Sequence, residues 1–412
     1  MTTDSSSMTP APEPESPMPV ARGGDREFPC ARCGAKLLFK PGTDSLHCEY
    51  CGHENPIAAA RSGAGDNAVD GAGDGEIANG AVTTEVVEEI DFERTLAELS
   101  AGEGAVEALV VHCDSCGATQ TLAANVTSQS CAFCGTPIVA QAVSERYLKP
   151  RSLLPFKIDA EKARSLFAGW LRSRWFAPGK LRDFANIEGG LSGVYVPYWT
   201  YDCATTCRYT GERGDDYFET QMVRATVNGK TVMRPQQVRK TRWRPVSGVV
   251  RNRFDDVLVP ASKTLPREHL EKIADFNTHE LLPYADEYLA GFRAEAYSVG
   301  LKEGFADAQA RMRPTIEGTI RRDIGGDHQR IGTTYITYSG VTFKHILVPV
   351  WVSAYRYAGK AYRFLVNART GELSGDRPYS AAKITLAVLG ALAVIAVTVL
   401  IAGTGEGGAG NK

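Results

Sequence analysis

One five-residue pattern, C-x-x-C-G, occurs four times and constrains this chain more than anything else in it. The pairs are Cys30 and Cys33, Cys48 and Cys51, Cys113 and Cys116, and Cys131 and Cys134. The gap from Cys33 to Cys48 equals the gap from Cys116 to Cys131. Two cysteines three apart at a tight turn aim both sulfurs at one point, and the glycine after each pair allows the positive φ that closes the turn. Two such turns joined by a short hairpin predict a tetrahedral four-cysteine site, a ligand set suited to Zn2+. Cys30, Cys33, Cys48 and Cys51 form the first set; Cys113, Cys116, Cys131 and Cys134 form the second. Each set is complete, so the metal has no open position and its role is structural, and His47, His53 and His112 have no required part. A ribbon of about thirty residues cannot fold on its core alone, and metal binding supplies the difference. A rubredoxin-like iron site would use the same ligands. A thioredoxin-like redox pair needs one CxxC in a βαβ setting, and the spacing does not suit a secreted disulfide scaffold.

The second constraint is the run 384–402, ITLAVLGALAVIAVTVLIA, which has no charge and no proline. At roughly 1.5 Å per residue it spans close to the ~30 Å hydrocarbon core of a bilayer, and a soluble helix this long would show a polar face. The expectation is one C-terminal transmembrane helix. Arg377 and Lys383 precede it, which by the positive-inside rule leaves the bulk of the chain cytoplasmic at a single-pass cell-membrane anchor. The N-terminus lacks the basic start and apolar core of a signal peptide.

Between these landmarks the reading is an α+β protein. Residues 1–26 are too polar to bury a core and read as disordered. Zinc ribbon 1 covers 27–56, a flexible acidic linker 57–84, a short ordered connector 85–107 and zinc ribbon 2 108–140. A mixed α+β body with antiparallel strands covers 147–380, and 403–412 is a short tail. In the body, LLPFKI at 153–158 reads as a strand. Asp159 then caps a helix ended by Pro178 and Gly179. Strands follow around Asn228-Gly229, a strong hairpin signal. A long amphipathic helical segment runs from Ala285 to Ile324, interrupted at Pro314. Val196-Pro197-Tyr198-Trp199 and Val348-Pro349-Val350-Trp351 echo one another. They suggest either two related β-halves around a helical insert or a shared local solution.

Catalytic signals are weak. Gly229-Lys230-Thr231 imitates the end of a Walker A loop, but the upstream glycine is replaced by Arg224. The GAGDG near residue 73 has neither the strand before it nor the apolar helix after it that a phosphate loop needs. His269, His279, His328 and His345 are isolated, and Cys203 and Cys207 read as core or sheet-face residues. Net charge is -2 overall, but its distribution is uneven. About twelve acids face one base, Arg94, between Ser62 and Val110, and about nine bases with no acid fall between Arg224 and Arg253. Arg239, Lys240, Arg242 and Arg244 are the candidate docking residues for a membrane or a partner, with anionic lipid as one candidate surface.

The CxxCG ribbon, LPF at 153–155, VPYW at 196–199, VP-S at 259–262, LAGF-x-x-E-x-Y at 289–297 and VPVW…VNARTGELSGDRP resemble one bacterial family. It is the family of membrane-anchored, transcription-factor-B-type zinc-ribbon proteins, also labelled primosomal replication helicases. The resemblance covers most of residues 110–384. With no Walker A loop here, the helicase label does not suit this chain. Members of that family accompany SPFH (prohibitin-like) scaffold proteins in membrane-stress systems, so the resemblance implies protein partners of that kind and no enzyme activity. The N-terminal ribbon and its acidic linker depart from the family pattern. The favoured reading is a non-enzymatic membrane adaptor. The rival is a nucleic-acid-binding zinc-ribbon protein of replication or transcription, disfavoured because ribbon 2 contains no Lys or Arg.

Overall fold

The computed structural model describes residues 28–57, 89–121, 128–139, 143–174, 191–227, 230–357, 360–376 and 380–405. The expected disorder at 1–26, nearly all of the acidic linker, the turn residues Asn228-Gly229, the helix stop at Pro178-Gly179 and the end of the tail lie outside these residues.

Three long strands make the frame: β1 (Ser192–Val227), β2 (Lys230–Pro260) and β3 (His328–Tyr357). All are rich in β-branched and aromatic residues, which suit a pleated surface packed on both sides. β1 is central. It pairs antiparallel with β2, from Val227↔Lys230 to Tyr198↔Pro260, and with β3, from Gly214↔His328 to Ser192↔Val352. β3 pairs on its other edge with β4 (Lys360–Asn367), with Ser152–Leu153 in parallel, and with Ile90–Asp91. The expected strand at 153–158 is therefore only Ser152–Leu153. Beyond it the backbone leaves the ladder, and Lys157 and Ile158 hydrogen-bond to Ala368.

Alternation along these strands decides what packs on each face. Tyr195, Leu347 and Trp351 point one way and join the ribbon 1 residues Leu37, Phe39 and Leu46 in one core. Val194, Val196, Tyr198, Val348 and Val350 point the other way and join the ribbon 2 residues Val111, Ala118 and Phe133. The two ribbons thus cover opposite faces of one sheet. The VPYW and VPVW segments lie side by side, with Val196 paired to Val348 and the prolines flanking that pair on either side. Their tryptophans serve alike, Trp199 donating to Val299 O at 2.9 Å and Trp351 to Ile158 O at 2.8 Å. The echo is therefore one local solution used on two neighbouring strands of one sheet.

Helices complete the body. α1 (Phe92–Ser100) is capped by the Asp91 carboxylate and seats Phe92 against Tyr201 and Phe305. α2 (Ala160–Arg172) is capped by Asp159, as expected, and buries Ala163, Phe167 and Leu171, but it ends at Arg172 with Ser173 as its C-cap, ahead of the stop expected at Pro178 and Gly179. α3 (Leu301–Ile324) buries Leu301, Gly304, Ala308, Met312, Ile316, Ile320 and Ile324, one stripe at helical spacing. Gly304 allows the close approach, since a Cβ there would meet Tyr201 Oη at 2.6 Å.

Two expectations about this segment are corrected. The helix begins at Leu301, not Ala285. The stretch before it is tied to the sheet instead, with Phe292 stacked on Phe156 at 4.0 Å and Glu295 N donating to Tyr195 O. Pro314 does not interrupt the helix. It sits on the exposed face between buried Met312 and Ile316, where the carbonyl it leaves unpaired can be hydrated.

A last helix, α4 (Ala381–Gly405), carries the apolar run. Its side chains are described over 383–398, and those from Ile384 onward are exposed. The expected transmembrane helix is not found as such: among the described residues no helix is long and apolar enough to cross a membrane.

Candidate metal centres

Each CxxCG pair folds into the same knuckle. The amide of the glycine donates to the carbonyl of the first cysteine, at 2.9, 2.9, 2.7 and 2.9 Å in chain order. The amide of the first cysteine is bound by the carbonyl of the residue after the glycine, Ala35, His53, Ala118 and Thr136 in turn. Gly34, Gly52, Gly117 and Gly135 have φ of 72, 70, 73 and 72°, the left-handed region that a side chain resists. Two knuckles then face each other in each ribbon. Short antiparallel strands, Leu38–Phe39 with Ser45–His47, hold the first pair in register.

Cys30 Sγ lies 3.6 Å from Cys51 Sγ and Cys33 Sγ 3.5 Å from Cys48 Sγ. In the second ribbon Cys113–Cys134 and Cys116–Cys131 are both 3.6 Å. Disulfide sulfurs would sit at about 2.05 Å. Four thiolates at ~2.3 Å from one tetrahedral ion are separated by about 3.8 Å, so the spacing fits a metal and not a disulfide. The two four-cysteine sets expected from sequence are assembled as sets, and each could hold one ion. The thiols of a set are pushed in opposite directions: burial raises Cys131 to about 11 and raises Cys116, whereas Cys134, despite burial, is brought down to about 7 by its hydrogen bonds to Thr136. Cysteines bind a cation as thiolates, so an entering ion displaces the protons of those still protonated and occupancy depends on pH. The flanking histidines stay out: His112 bonds Glu145 at 3.0 Å and Thr119 at 2.9 Å.

The second set has a support the sequence did not announce. Gln120 is fully buried, donates from Nε2 to Cys131 Sγ at 3.3 Å and accepts from Ala132 N at 3.2 Å. Its backbone bridges to Glu295, and Ala296 N donates to Thr119 O at 3.2 Å, so the ribbon is stitched to the body beside its metal ligands. The Glu295 carboxyl is buried, accepts from Ser262 Oγ at 2.7 Å and has its other oxygen without a partner. Burial pushes it up to about 7. Ser262 and Glu295 stand in two of the motifs that carry the family resemblance, and only the fold brings them together.

A second buried charge cluster was also missed. At a bulge in β2, Asp255 and Asp256 stand opposite the single residue Asp202 of β1. Lys344 reaches in from β3, 2.7 Å from Asp256 and 3.4 Å from both Asp202 and Glu89. Burial raises Asp202 to about 6. Glu89 precedes α1, so this cluster pins the connector to the body. Buried His345, pushed down to about 4 by burial, donates from Nδ1 to Leu148 O. Cys203 and Cys207 are core residues, with Cys203 Sγ 3.6 Å from Met312 Sδ.

Apart from Arg224 on β1, the basic run lies on β2, and strand alternation divides it. Lys240, Arg242 and Arg244 share one face and Arg239 is on the other. The neighbouring strand supplies acids: Arg239 pairs with Asp216, Lys240 with Glu219 and Arg244 with Asp215. Arg242 covers the Tyr217 ring at 5.0 Å. A groove of about 330 Å3 beside α3, lined by Gln309, Arg313, Thr334 and Tyr338 among others, contains neither carboxylate nor histidine.

No family model matches the chain, and no solved structure matches it. The chain is 23% identical over 253 residues to the uncharacterized protein YdjG of Bacillus subtilis (strain 168), an alignment covering 61% of this chain and 70% of that protein.

Proposed function

We propose that this protein is a non-enzymatic, membrane-anchored zinc-ribbon adaptor that binds protein partners at the cytoplasmic membrane face, SPFH-type scaffolds among them. The observation that carries this reading is the closure of both four-cysteine sets combined with their placement. All four sulfurs of each set converge, leaving an ion no open position for substrate, and the two ribbons are built into opposite faces of one sheet. Zinc is the proposed ion in both. The anchor is the 384–402 run within α4, whose exposed apolar side chains, Leu386 and Val394 among them, need lipid around them. The family resemblance supports the partner class. Against the nucleic-acid reading stand the absence of Lys and Arg from ribbon 2 and the acid partners of Arg239, Lys240 and Arg244.

The test is crosslinking and affinity capture of the full chain from membranes, with metal analysis of the purified protein. The expected result is about two zinc ions per chain and a co-captured SPFH-type protein. Co-capture with Cys113 and Cys116 both replaced by Ser should fall, with metal dropping to about one. Recovery of DNA or RNA in place of protein, sensitive to salt, would move the assignment to the rival reading.

A further inference from the structure

The sheet face that carries Val194, Val196 and Tyr198 under ribbon 2 does not stay covered along its length. It continues down β1 through buried Thr200 and Asp202 and then opens, with Ala204, Arg208 and Thr210 exposed. Arg253 of β2 stands beside Ala204, and Val249, Arg208 and Tyr335 form a row across β2, β1 and β3, with Arg251 between the two rows. Tyr335 is 71% exposed and Val249 50%. Among the described residues no carboxylate pairs with Arg208, Arg251 or Arg253, whereas Arg330 and Arg239, further along, are matched by Glu212 and Asp216. Exposed apolar side chains interleaved with unmatched arginines are the composition of a docking face.

The chain's own topology brings a complement there. Ribbon 1 lies on the opposite face, and Ile57 at its end is part of the core on that side. The next described residue, Glu89, lies on the side of the open face. Its carboxylate accepts from Thr342 Oγ1 at 2.7 Å and from Lys344 Nζ at 3.4 Å, and those two residues stand opposite Asp202 and Thr200. Residues 58–88 therefore pass from one face of the sheet to the other and finish one row above Arg253. They contain six acids, Asp66, Asp70, Asp74, Glu76, Glu85 and Glu88, against one base, Arg61. Their last stretch, 82–88, reads Val-Thr-Thr-Glu-Val-Val-Glu. Extended, it reaches about 20 Å, and Arg208 lies only ~13 Å beyond Ala204 at the strand rise per residue. Glu85 and Glu88 are thus within reach of the arginines, with valines beside them to meet Tyr335 and Val249.

We infer that the acidic segment 58–88 docks in cis on this face, its carboxylates on Arg208, Arg251 and Arg253 and its valines against Tyr335 and Val249. Each exposed ion pair is weak by itself. The segment is tethered at Glu89, however, so it meets the face at an effective concentration of roughly millimolar, and several weak contacts suffice to hold it. A partner with an acidic surface reaches these arginines only by displacing it.

Tyr335→Cys in metal-loaded, detergent-solubilised full-length protein reports on the face through its rate of alkylation by N-ethylmaleimide, with the wild-type rate subtracted. Neutralising the six acids of the segment, Asp to Asn and Glu to Gln, should speed alkylation at least about fivefold. Raising salt from about 0.05 to 0.5 M should remove the difference, because these attractions are screened. Charge exchange separates docking from a general field effect. Arg251→Glu with Arg253→Glu should also unmask position 335, and adding Glu85→Arg with Glu88→Arg should restore its protection. Metal content and circular dichroism should be the same throughout. One alkylation rate with and without the acids would overturn the inference. So would protection that is lost on dilution, which would place a second copy's segment on the face.

Discussion

Glu295 shows how a single buried group ties the ribbon and the body to pH. Its carboxyl is raised from the usual ~4.5 to about 7 by burial, so between those values the native state holds a proton that the unfolded chain has released. Stability from this group therefore falls as pH rises from ~5 through 7, by up to about 3 kcal/mol at pH 8. Glu295→Gln keeps the hydrogen bond to Ser262 without the charge. Melting curves should show the variant more stable than wild type at pH 8, by less at pH 5.5, and indistinguishable from it near pH 4, below the unfolded value; an offset that does not change with pH would refute the assignment. This residue was legible only as a letter in a motif. The cysteines, by contrast, were legible as a site, because a C-x-x-C-G turn is a local structure whose ligand geometry follows from its own backbone. Glu295, Ser262, Lys344 and Gln120 acquire their roles from chain segments far away in sequence, which spacing cannot reveal.

At the scale of elements, the sequence was most informative where one residue closes a local contact. Asp159 caps α2, and the Asn228-Gly229 signal agrees with the register Val227↔Lys230. It was least informative where tertiary packing overrides a local preference, as at Pro314. The ring there removes one backbone bond from α3, but the buried stripe on either side holds the helix together. Pro314→Ala should restore that bond and raise stability by about 1–3 kcal/mol, measured as a higher melting temperature. A lower one would mean that the ring itself packs usefully. The ribbons depend on docking as well as on metal. Phe39 is buried against Tyr288 at 5.2 Å and Phe292 at 6.2 Å, and its amide donates to Ala290 O. Phe39→Ala should cost about 3–5 kcal/mol and loosen ribbon 1, read as faster amide exchange at 37–47 and faster loss of its metal to a chelator. Ribbon 2, on the opposite face, should exchange as before.

At the scale of the whole molecule, the open question is what the apolar helix does for a body that already buries its own core. Three buried clusters account for both faces of the sheet and for α3, and the described side chains of α4 belong to none of them. An apolar helix outside the core must be covered by lipid or by protein. Removing 381–412 distinguishes these from each other and from docking through the basic run. If α4 is the anchor, the truncated protein should move from the membrane to the soluble fraction, keep about two metal ions and show unchanged circular dichroism. It should then bind vesicles weakly whether or not they contain anionic lipid, because Arg239, Lys240 and Arg244 already have acid partners and exposed pairs of this kind leave little net charge to attract a surface. Retention on anionic vesicles that is lost at high salt would assign the attachment to the basic run instead, since screening acts within about 10 Å at 0.1 M. Retention that survives high salt would place the anchor elsewhere in the chain. Aggregation of the full-length protein in detergent-free buffer, absent from the truncated form, is expected only if the exposed face of α4 is normally covered.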